Sequence, residues 1–208
     1  MTQIVVTNHS DISDLEVARW CSAIARQVQH DFLPFWGAFC PNSWVRFGDP
    51  EGADWEIRIV NESTVDGAAG WHSLDGDDPH GEVSTSSGFN PATVLSHEVL
   101  EMLANPSVAN LTVNWRDGLL YPMEVCDAVQ AISYDIDGVE VSDFVLPAWF
   151  GQAQDSRCAF VTEGLKPFEL ARGGYAVRYN QRFEDRSVFN AEPNPEHVRT
   201  VLLQEARR

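Results

Sequence analysis

Basic residues are scarce in this chain: 14 Lys and Arg stand against 31 Asp and Glu over 208 residues, a formal net charge of -17. Such an excess of acid repels phosphate backbones and anionic lipid headgroups, which excludes nucleic acid and membrane surfaces as partners. Long apolar runs are missing too, and none approaches the ~20 residues that a membrane-spanning helix needs. The opening "MTQIVVTNHSD" lacks the basic and apolar regions of a secretory signal, which points to the cytoplasm. The four cysteines, Cys21, Cys40, Cys126 and Cys158, contain no C-x-x-C pair. That spacing argues against a zinc knuckle or a disulfide framework and for reduced, buried thiols. Internal repeats and low-complexity tracts are also absent.

What is there is the material of one packed domain spanning 1–208. The hydrophobic content is 44%, with seven Trp and eleven Phe, enough to build a core at this length. "QIVVT" (3–7) reads as a strand. From Asp14 to about Gln29 apolar residues recur at helical spacing, behind a capping box of Ser13 and Glu16. "SWVRF" (43–47) and "WEIRIVN" (55–61) read as strands, the second by alternation. "VDGAAGWHSLDGDDPH" reads as a Gly- and Asp-rich loop, and "GEVSTSS" (81–87) as a strand of small residues. Two short strands around "AISYDI" and "VEVSDFVL" are joined by Asp137-Gly138, and "GGYAVRYN" (173–180) is strand-like. The last segment, with Asn194 as cap and Pro195 behind it, predicts a helix at about 194–207. This order describes an α+β domain.

The sharpest local signal is "FNPATVLSHEVLEMLANP". Asn90 as cap and Pro91 at the first position predict a helix from 91 to about 104, stopped by Asn105-Pro106. On it, residues four apart share a face, so His97 and Glu101 can grip a single cation. Glu98 sits about 100° round, where the glutamate of an H-E-x-x-H site reaches a metal-activated water and not the metal. Leu95, Val99 and Met102 form the core-facing stripe. The bland alternative is a satisfied core histidine beside solvated acids.

Downstream, "MEVCDAV" (123–129) supplies Glu124 and Asp127, three apart and embedded among apolar residues, where an uncompensated carboxylate is costly. One or both are candidate ligands. His72 and His80 read as loop histidines. Tyr121, Tyr134 and Tyr175 could each polarise a carbonyl, and nothing in the sequence chooses between them. "DFVLPAWF" (143–150) is too apolar for a free loop; it reads as a buried segment beneath the metal that offers a wall to a substrate cleft.

Taken together, "SHEVLEMLANP", "EVCD" and "DFVLPAWF" resemble a family of bacterial and tailed-phage zincin-like metalloproteins that share H-E-x-x-E followed by E-x-x-D. More distantly, the pattern is similar to plant phosphate-induced, exordium-like proteins. The resemblance implies a zincin-like fold and one divalent ion, zinc foremost with Mn²⁺ or Ca²⁺ as alternatives. It implies that His97, Glu101 and one or both of Glu124 and Asp127 bind the ion, with Glu98 as base. It also implies that "GEVSTSS" is an edge strand able to pair with an extended peptide. Two functions follow as expectations. One is a zinc-dependent peptidase acting on a peptide or protein. The other is a non-catalytic, metal-stabilised scaffold, associated with a virion or assembled as a homo-oligomer.

Overall fold

The computed structural model describes residues 1–153, 157–180 and 186–190; the helix expected at 194–207 lies outside them. The chain opens with β1 (Thr2–His9), then α1 (Asp14–Arg26), a π-helical turn over Gln27–Phe32 and the short α2 (Leu33–Trp36). Next come β2 (Ser43–Phe47), β3 (Trp55–Val60), β4 (Gly70–Asp75), β5 (Asp78–Ser84) and the long helix α3 (Pro91–Ala104). The hairpins β6 (Leu111–Asn114)/β7 (Leu119–Pro122) and β8 (Ser133–Ile136)/β9 (Val139–Ser142) follow, then β10 (Tyr175–Tyr179) and β11 (Arg186–Asn190). This is an α+β architecture. Among the described residues no helix is long and apolar enough to cross a membrane.

The main sheet is five-stranded in the order β2-β1-β3-β5-β4. β1, β2, β3 and β5 run parallel, and β4 alone is antiparallel, paired to β5. β1 lies at the heart of the parallel part because its Ile4, Val5 and Val6 are buried without exposure, the near-continuous apolar run that inner parallel strands require. Ile4, Val6, Ile57, Ile59 and Val83 join Val17, Trp20 and Ile24 of α1 and Leu95, Val99 and Met102 of α3 in one core.

Two expectations are corrected here. "GEVSTSS" is not the edge: its strand, β5, is sandwiched between β3 and β4. The edge is β4, in the stretch read as a loop. Its residues Gly70–Asp75 carry no strict alternation; they are strand because they fold back on β5 through a two-residue turn at Gly76-Asp77, with Gly76 at φ 63°. The helix that starts at Asp14 stops its α-pitch at Arg26, three residues short of Gln29, and continues as the π-turn. That wider turn points Gln27 inward, where its amide donates to the Ser142 carbonyl (2.8 Å) and accepts from Ser96 Oγ (2.7 Å). A fully buried polar residue is thereby satisfied and ties α1 to α3 and β9.

Candidate metal centre

α3 forms where the cap predicts it: Asn90 Oδ1 accepts from the Ala92 amide at 3.0 Å, and Pro91 costs nothing at the first position. Its apolar stripe fixes the helix's rotation, which turns His97, Glu98 and Glu101 toward β4 and the 123–129 segment. That segment is held from below by 143–150, which is buried throughout. The Val145 amide donates to the Val125 carbonyl at 2.7 Å, and Trp36 Nε1 donates to the Val145 carbonyl at 3.0 Å. Glu124 precedes, and Asp127 begins, a single 3₁₀ turn.

The structure thus brings His97, Glu98, Glu101, Glu124 and Asp127 together, and adds two residues not anticipated at this site. The first is His72 on β4, whose Nδ1 lies 3.2 Å from Glu98 Oε2 and whose Nε2 lies 3.8 Å from Glu124 Oε2. The second is Cys126, whose Sγ is within 4.8 Å of ligand atoms of both His97 and Glu101. Buried His, Glu and Cys groups here can hold a metal ion. The signal for His72 was the Gly76-Asp77 turn, a hairpin marker that makes "GWHSLD" a strand. Cys126 left no signal. His80, in contrast, stacks edge-on against Trp71 and stays outside the cluster.

The distances suit a cation. His97 Nε2 is 3.1 Å from Glu101 Oε1 and 3.3 Å from Asp127 Oδ1. One N–H cannot serve both oxygens, and Asp127 Oδ1 has no aligned hydrogen-bond partner. Zinc bonds of ~2.0–2.1 Å in a tetrahedron set donor atoms ~3.3 Å apart, so one ion can replace the proton and satisfy all three. His72 Nε2 and Glu124 Oε2 are likewise buried without a hydrogen bond, an expensive condition for polar atoms. The cluster's outer contacts are complete. Asn105, the last residue of the helix, donates through Nδ2 to Glu124 Oε1 at 2.9 Å, and the Cys126 amide donates to Glu101 Oε1 at 3.1 Å.

The electrostatics carry the same strain. Burial, with the Asp127 charge, pushes the Glu101 carboxyl up to about 8 despite His97 beside it. Burial also raises Glu124, against the pull of His72. Burial alone would lower His72, yet the Glu98 hydrogen bond and the charges of Glu124 and Glu101 win and bring it to about 9. Without a cation, the acids keep protons that the buried histidines compete for.

A cleft of about 200 Å³ opens over this cluster, with His97, Glu98 and Tyr175 at its base and Gly70, Val94 and Ile132 on its walls. The segment 143–150 contributes none of the lining, a correction to its expected role as a wall; its large side chains are spent on the core beneath. Of the three candidate tyrosines, Tyr175 alone lines the cleft, and its hydroxyl bonds Asp127. It gets there because Gly174 presses on the Ala128 carbonyl, where a Cβ would come within 2.1 Å. Gly70 is required for the same reason on the opposite wall: a Cβ there would meet Val94 Cγ1 at 2.6 Å and Glu98 Oε1 at 2.8 Å. Comparison of the chain with protein-family models, with curated proteins and with solved structures finds no match.

Proposed function

We propose that this chain is a zincin-like metallopeptidase, a zinc-dependent hydrolase of peptide bonds, as its resemblance to the bacterial and tailed-phage family implies. The observation that carries the reading is the joint placement of His97, Glu101 and Asp127 around one point, with Glu98 beside them at the base of an open cleft. A divalent ion bound there supplies Lewis acidity, polarising a carbonyl and acidifying a water. Every other task falls to the chain. His97, Glu101 and Asp127 hold the ion, with the Cys126 amide fixing Glu101. Glu98, held at one oxygen by His72 and not needed as a ligand, takes a proton from the attacking water and delivers it to the leaving amine. The Tyr175 hydroxyl, bonded to Asp127, faces the developing oxyanion.

The substrate is a peptide in extended form. β4 is the last strand of its sheet, with no further partner among the described residues, and Ala69 and Gly70 at its start line the cleft. A free edge accepts another strand through backbone hydrogen bonds, which would lay a scissile bond beside Glu98. A second reading, a metal-stabilised scaffold without turnover, draws on one observation: carboxylates outnumber histidines around the cluster, and anionic ligands dampen Lewis acidity.

Glu98→Gln decides between them. The amide keeps the shape and cannot accept the proton, so zinc content should persist while chelator-sensitive cleavage of a peptide library falls by ~10²–10⁴. Cleavage undiminished in Glu98→Gln, or absent from the zinc-loaded wild type, would overturn the peptidase reading.

A further inference from the structure

We propose that the cluster is built for two divalent cations, with Glu101 shared between them. The inference rests on the first ion at His97, Glu101 and Asp127 and adds a second, held by His72 and Glu124.

The donor atoms fall into two groups. Those of His97, Glu101 and Cys126 lie within 4.8 Å of one another, and so do those of His72, Glu98 and Glu101. Glu101 is the member common to both. The two histidines come from opposite walls, His97 from α3 and His72 from β4, so one ion cannot draw on both without abandoning the carboxylate beside the other.

The orphaned atoms divide the same way. Asp127 Oδ1 belongs with His97, 3.3 Å away. His72 Nε2 and Glu124 Oε2 belong together, 3.8 Å apart, too far for a hydrogen bond and close enough to share an ion. Both His72 and Asp127 side chains are only 4% exposed, so water does not relieve them. One cation at His97 repairs the first orphan and leaves the other two.

The supporting contacts of this second pair are those that metal ligands need. Glu98 accepts from His72 Nδ1, which fixes the tautomer and leaves the Nε2 lone pair facing Glu124. Asn105, itself buried without exposure, clamps the other Glu124 oxygen. A histidine and a glutamate held this way, with their inner atoms unbonded, are oriented for a ligand and not for each other.

Charge leads to the same count. Glu98, Glu101, Glu124 and Asp127 bring four negative charges into one buried cluster, and among the described residues their ion pairs are made only with His72 and His97. One divalent ion with neutral histidines leaves two negative charges in low dielectric; two ions balance all four. A mixed set of imidazole and carboxylate donors suits Zn²⁺ or Mn²⁺, and paired ions bridged by a carboxylate sit ~3.5–4 Å apart.

The test counts ions. The full chain is stripped with chelator, reloaded separately with Zn²⁺ and Mn²⁺, desalted and measured for metal per chain; the Mn²⁺ form is also examined by electron paramagnetic resonance. Two ions per wild-type chain, with the exchange-coupled signal of a close Mn²⁺ pair, are expected. In His72→Gln, with folding checked by circular dichroism, the count should fall to one. One ion per wild-type chain with an uncoupled signal overturns the second ion and leaves the first standing. No retained ion overturns both. Two ions retained in a folded His72→Gln would place the second elsewhere. If that variant fails to fold, the coupled or uncoupled signal of the wild type decides alone.

Discussion

Two groups of buried carboxylates in this molecule are treated in opposite ways. Asp143, without exposure, accepts four hydrogen bonds: from the Phe144 and Val161 amides at Oδ1, and from the Thr162 amide and hydroxyl at Oδ2. Glu82, also buried, accepts from the Thr64 amide and hydroxyl. A few residues away from Asp143 in space, through the Val125–Val145 bond, Glu124 and Asp127 each keep an oxygen with no partner. The chain can satisfy a buried carboxylate from its own backbone, and at Asp143 it does so completely. The difference therefore separates an acid that organises loops from acids held open for something else.

That contrast can be broken most forcefully at Asp143. Asp143→Ala strands three amides and a hydroxyl in the core and should cost ~3–5 kcal/mol, equally with and without metal, in chemical unfolding. Asp127→Asn should behave in reverse. It should leave the chelated protein nearly unchanged, or firmer, because a buried charge is gone. It should also abolish the ~2.7 kcal/mol that saturating metal adds at a hundred times Kd. If both substitutions respond alike to chelator, the distinction between the two groups fails.

A smaller effect is expected at Gly70, whose missing Cβ lets α3 approach β4. Gly70→Ala should cost ~1–3 kcal/mol by overpacking and, by displacing Glu98, should lower turnover more than metal content. Equal losses of both would show that Gly70 serves the fold alone. The gentlest probe is pH. In the metal-free chain His72 is held at about 9 and Glu101 at about 8, above ordinary values of 6.5 and 4.5. The folded chain thus binds protons that the unfolded chain releases. This stabilisation is whole below 4.5 for Glu101 and 6.5 for His72, and is lost as pH rises through about 8 and about 9. Unfolding midpoints in chelator should therefore fall between pH 5 and 9, and a flat profile would contradict it.

How much of this was legible in the sequence depended on whether the signal was local. α3 announced itself through Asn90-Pro91, and its spacing gave His97, Glu98 and Glu101 a common side. β2 and the Asp137-Gly138 hairpin were equally plain, the latter because Asp137 and Gly138 adopt φ 54° and 79°. Glu124 and Asp127 were suspicious as acids among apolar neighbours, although the reason offered, a shared helical face, holds only for one 3₁₀ turn. His72 was missed because an edge strand with mixed burial lacks the period that marks a strand. Its pairing partner, and not its own residues, makes it one. Asn105 read only as a helix stop, and its clamp on Glu124 depends on a contact 19 residues away.

The π-turn at Gln27–Phe32 has a consequence for how this chain tolerates length changes. A π-turn holds one residue more than the α-turn it replaces, so deleting any one residue there would restore ordinary pitch and turn everything after it by ~100°. Gln27 would lose Ser96 and Ser142, and Trp36, whose indole supports the carbonyl of Val145, would swing out of the core. Insertions and deletions are usually absorbed in loops, where little depends on register. Here a single codon lost from the first helix would reach the acids of the cleft, two packed layers away.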